Sequence, residues 1–69
     1  MKKTIKINGM MCGHCEKAVR KALEAIDGVV SAVADHTKDI AVVELDKPVD
    51  NQLLIDAIIA EEFEVVSID

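Results

Sequence analysis

Sixty-nine residues make one small domain, able to bury only about 60% of its unfolded surface and with no room for a second, substrate-binding unit. Hydrophobic residues are 51% of the chain and charged residues 30%, too apolar for a disordered tail and too interrupted by charge for a membrane span. The net charge of −5, with one Phe and no Tyr or Trp, removes both the cationic surface and the stacking platforms of a nucleic-acid binder.

Charge is unevenly placed. Residues 1–21 carry six basic and one acidic side chain (+5), and residues 22–69 carry two basic and twelve acidic (−10). That asymmetry implies a polar partner surface. Lys2 and Lys3 imitate the start of a signal peptide, but Lys6 and Asn8 fall where its apolar stretch would run, which implies a cytoplasmic protein.

In chain order, Lys3 to Asn8 alternates Thr4, Lys6 and Asn8 with Ile5 and Ile7, the period of a half-buried strand, and Gly9 ends it. From Glu16 to Asp27, Val19, Ala22, Leu23 and Ile26 fall at i, i+3, i+4 and i+7, predicting an amphipathic helix closed by Gly28. Val29 to Asp35 and Ile40 to Leu45 read as two strands joined by the polar link His36–Asp39, a hairpin. Pro48 and Asp50 mark the start of a second helix with Leu54, Ala57 and Ile58 as its apolar stripe, before a last strand from Glu64 to Ile68.

The order β-α-β-β-α-β predicts an α+β, ferredoxin-like sandwich: a four-stranded antiparallel sheet with two helices on one face, as a single domain over residues 1–69. Right-handed crossovers then bring the loop after the first strand, the hairpin turn and the loop after the second helix to one end of the sheet. Cys12, Cys15, His36 and Phe63 are expected there.

Gly9-Met10-Met11-Cys12-Gly13-His14-Cys15 joins the first strand to the first helix, so Cys15 opens the helix and Cys12 lies in the loop before it. Free backbone N–H groups and the positive end of the helix dipole favour thiolate over thiol at this place. Two soft thiolates suit Cu(I), which is content with few ligands, whereas Zn(II) generally wants four and no second Cys pair is present. Ag(I) mimics Cu(I), and Hg(II) also prefers two thiolates. An exposed, under-coordinated ion can accept a third thiolate from another molecule, which allows transfer without release and also pairing of two copies around shared metal.

With Gly9, Met10, Cys12 and Cys15 in the pattern GMxCxxC, the chain resembles the heavy-metal-associated domain family over essentially its whole length. Within that family it is similar to bacterial copper chaperones of the Atx1-like and CopZ-like type. The resemblance implies Cu(I) held by Cys12 and Cys15 and docking onto a copper-transporting P-type ATPase through the metal loop and first helix. It further implies a buried, non-ligating Met10, a Phe63 beside the metal loop where relatives carry Tyr, and a Glu62 where relatives usually carry a glycine of positive φ.

Other readings stand beside this one. Cys-Gly-His-Cys is also the tetrapeptide of disulfide isomerases, but Met11 precedes Cys12 where those enzymes usually place Trp, Pro48 precedes a helix, and a strand ends the chain. Lys17, Arg20 and Lys21 form one helix face, either merely solvated or steering an acidic acceptor. Glu61 and Glu62 bring carboxylates toward the site, either weakening Cu(I) binding slightly or adding oxygen ligands for Zn(II) or Cd(II). Met11 and His14 are expected exposed, and His36 is expected as a plain surface residue. The initial Met and the close at Asp69 favour a free-standing chaperone over a regulatory domain excised from an ATPase. No enzymatic chemistry is expected.

Overall fold

A computed structural model describes residues 1–11 and 13–69. The elements run β1 (Lys2–Asn8), α1 (Gly13–Glu24), β2 (Val29–Asp35), β3 (Ile40–Leu45), α2 (Asn51–Ala60) and β4 (Glu64–Ile68). The four strands form one antiparallel sheet in the order β2-β3-β1-β4, with β2 and β4 at its edges. This is the ferredoxin-like arrangement expected from the element order.

Alternation along β1 turns Ile5 and Ile7 to one face, where both are fully buried, and leaves Lys6 exposed. Ala41, Val43 and Leu45 do the same on β3. Against them pack Val19 and Leu23 of α1 and Leu54 and Ile58 of α2, giving one continuous core on one side of the sheet. The other side is open, and Val33 stands 66% exposed on it.

Two helix boundaries differ from the periodicity. α1 begins at Gly13 and ends at Glu24, three residues ahead of the predicted span at each end. Gly13 and His14 join the first turn without any apolar side chain to announce them. Beyond Glu24 the chain continues in turns, with bonds from Ile26 N to Leu23 O (3.1 Å) and from Val29 N to Ile26 O (3.1 Å), so Ile26 reaches the core from outside the helix. At Gly28 φ is +101°, and a Cβ there would lie 2.7 Å from Val49 Cγ2.

α2 starts where Asp50 predicts: its side chain accepts from Gln52 N at 2.9 Å, an N-cap. It ends in a Schellman motif, with Glu62 N bonded to Ile59 O (2.8 Å) and Phe63 N to Ile58 O (3.3 Å). Among the described residues no helix is long and apolar enough to cross a membrane.

Candidate metal centre

Strand register gathers the loops at one end. Lys6 pairs with Ile40 and Asn8 with Glu64, so the C-terminal end of β1 lies between the start of β3 and the start of β4. A bond from Ile7 N to Asp39 O (2.8 Å) ties β1 to the β2–β3 turn. The segment after β1, the β2–β3 turn and the α2–β4 loop are thereby neighbours, as the crossover rule requires.

Cys15 is the third residue of α1 rather than its opening one, a half-buried free thiol packed against the core. Cys12 lies outside the described residues. Before it, Met10 is a core residue at 4% exposure and Met11 is 82% exposed, the two opposite environments that the resemblance and the sequence anticipate. Burial of the Met10 thioether in apolar surroundings makes it a packing group under the loop.

Gly9 has a φ of +112°, which L side chains rarely adopt, and a Cβ on it would sit 3.3 Å from Phe63 Cδ1. The glycine therefore lets Phe63 lie directly against the backbone of the loop that leads to Cys12. Phe63 is half-buried and packs on the core beside it. Glu62, the residue before it, takes φ +67°. The loop keeps the backbone conformation that glycine would normally supply, and a glutamate bears the strain.

Sequence reasoning missed one contact of the site. His36 is half-buried, and both its backbone N–H (2.8 Å) and its ring Nδ1 (2.7 Å) meet Glu16 Oε2. With the carboxylate accepting, Nδ1 carries the hydrogen. The His36 backbone N–H first, and its side chain second, hold the Glu16 carboxyl below its ordinary value. This pair pins the first turn of α1, one residue from Cys15, to the β2–β3 turn. Twenty residues separate the partners, so no local pattern announces them.

Glu61, Glu62 and His14 are exposed. Among the described residues, no three His, Cys, Asp or Glu side chains converge into a metal cage. Lys17, Arg20 and Lys21 are exposed on α1 as expected, with Arg20 Nε 3.8 Å from Glu24 Oε1.

A ferredoxin-like sheet that presents a cysteine in the first turn of its first helix, after a loop entered through Gly9, is the frame shared with the relatives found by comparison. The heavy-metal-associated domain model matches residues 4–64, and the chain belongs to that family. The copper chaperone CopZ of Staphylococcus aureus is 57% identical over 28 residues, a match that spans 41% of this chain and 41% of that protein. The chain thus aligns with under half the length of that curated relative. A solved CopZ metallochaperone superposes with a TM-score of 0.90 at 36% identity, covering 96% of this chain and 100% of its own. A copper-binding domain from HMA7, a P-type ATPase, superposes with a TM-score of 0.85 at 26% identity, covering 100% and 99%.

Proposed function

We propose that this protein, working as one domain over residues 1–69, is a cytoplasmic copper carrier: it binds one Cu(I) through Cys12 and Cys15 and passes it to a copper-transporting P-type ATPase. The observation that carries this reading is the placement of GMxCxxC, Gly9 to Cys15, at the strand-to-helix junction of a fold shared nearly end to end with a CopZ metallochaperone. The N–H groups of the first helical turn, which lack partners within the helix itself, favour the net negative charge of a two-thiolate Cu(I) centre.

Transfer is a ligand exchange without redox change. An acceptor thiolate bonds to copper, the Cys12–copper bond breaks, and Cys15 holds the ion until a second acceptor thiolate replaces it. Lys17, Arg20 and Lys21 raise the encounter rate with an acidic acceptor more than they raise affinity. The protein performs no catalysis of its own. Ag(I) and Hg(II) fit the same thiolate pair, and Zn(II) fits less well for want of further donors.

A second reading, the N-terminal metal-binding domain of such an ATPase, is favoured by the likeness to the HMA7 domain. Transfer kinetics test the carrier directly. Cu(I)-loaded protein mixed with a metal-free ATPase domain, in the presence of a chelator that traps released ion, should load the acceptor faster than it loads the chelator. Loading of the chelator first would overturn the exchange mechanism.

A further inference from the structure

The open edge of the sheet beside α1 begins at the metal loop and runs away from it along β2, and its chemistry is distinctive. A groove of about 570 Å³ runs between α1 and the edge strand β2. Its helix wall carries Lys17 and Arg20, one turn apart and both exposed, with His14 at the end nearest the metal loop. Its other wall is Ala32, Val33 and Ala34 of β2. Of these, Ala32 is buried and Val33 stands exposed on the open face.

Edge strands are usually guarded by lysine, proline or a covering element. β2 reads Val-Val-Ser-Ala-Val-Ala-Asp and holds no lysine or proline, and its one irregularity, between Val29 and Ser31, lies at the far end from the groove. The stretch 31–35 is paired with β3 on one side and, among the described residues, has no strand on the other. A strand edge flanked by a helix is the geometry in which an extended peptide adds as one more strand, with main-chain bonds giving affinity and alternate side chains giving specificity.

We propose that the α1–β2 groove is a docking site for an extended acidic segment of a partner protein, added to β2 as a fifth strand. Alternate residues of such a strand would set carboxylates against Lys17 and Arg20 on the helix side and apolar side chains beside Val33 on the open face. Glu16 also lines the helix wall and stays anionic with its Oε2 held by His36, so the wall favours an acidic segment through two cations against one anion. Among the described residues Arg20 is held by an exposed pair with Glu24 at 3.8 Å, which a stronger carboxylate contact displaces at little cost. The site shares Lys17 and Arg20 with the proposed acceptor encounter, but its test uses the metal-free protein, so its failure is distinguishable from a failure of copper transfer.

The test uses reduced, metal-free, ¹⁵N-labelled protein and a capped octapeptide alternating glutamate and valine, with an otherwise identical lysine–valine peptide as control. The acidic peptide should bind saturably at or below about 1 mM, shift the amides of residues 31–35 and slow the exchange of those on the outer edge of β2. Lys17→Glu with Arg20→Glu should weaken it at least about tenfold, with unchanged shifts in β1 and β3 showing an intact fold. Four results would overturn the proposal: no binding at several times about 1 mM, equal binding of the lysine peptide, perturbation confined to α2 and β4, or protection of the same amides by self-association without peptide.

Discussion

Glu62 offers a stability prediction whose sign is opposite to that of most substitutions. Its φ of +67° places it in the left-handed region at the position just past the C-cap Glu61, where glycine is the usual residue. A side chain there costs about 1–2 kcal/mol, and glycine gives back about 0.5–1 kcal/mol through the greater freedom of its unfolded chain. The Schellman bonds of Glu62 and Phe63 to Ile59 and Ile58 are backbone bonds and survive the change. Removal of a carboxylate from the negative end of α2 adds a small further gain. Glu62→Gly is therefore expected to stabilise the protein by about 1 kcal/mol, which raises the melting temperature of a domain this size by about 4–8 °C. Urea unfolding should show the midpoint rising with an unchanged slope. Two controls isolate the cause: Glu62→Gln should capture only the charge contribution, and Glu61→Gly, at φ −92°, should not stabilise at all. A Glu62→Gly protein melting at or below the parent, or a full gain from Glu62→Gln, would refute the strain argument.

Gly28→Ala should cost about 1–3 kcal/mol, because φ +101° is unfavourable to any side chain and Val49 Cγ2 stands 2.7 Å from the new Cβ; chemical unfolding measures it. Gly9→Ala should also destabilise, because φ +112° strains any side chain, and it should displace Phe63, whose Cδ1 would be 3.3 Å from the added methyl, moving the ring chemical shifts of Phe63. Bonds from the Thr37 hydroxyl and backbone hold the Asp35 carboxyl below its ordinary value. Since the folded pKa is the lower one, this stabilisation is present above the unfolded value near 3.8 and is lost as pH falls through the folded value. Thr37→Ala should therefore flatten the acid limb of the stability curve, measured by urea midpoints from pH 5 downward; an unchanged acid limb would contradict it.

Much of this structure was legible because it is locally encoded. Ile5 and Ile7 announce their face by alternation, Asp50 caps α2 through its own side chain, and the contrast between Met10 and Met11 followed from family resemblance and loop position. The positive φ at Glu62 was legible only as an anomaly: a glutamate where relatives carry glycine. Boundaries of α1 failed for a physical reason, since Gly13 and His14 have no periodic apolar signal while Ile26 continues the period after the helix has stopped. The Glu16–His36 pair and the bulges near Ile7 and Val30 depend on tertiary register, which a linear pattern does not specify.

The most direct measurement of the central claim is an anaerobic competition titration of the reduced protein against chromophoric chelators, with Cu(I) and Zn(II) in separate series, on the parent, Cys12→Ser and Cys15→Ser. A tight one-to-one Cu(I) complex that greatly exceeds Zn(II) in affinity, and that is largely lost in each single variant, is the expected result. Near-parental Cu(I) affinity in both variants, or Zn(II) bound more tightly than Cu(I), would contradict a two-thiolate copper carrier.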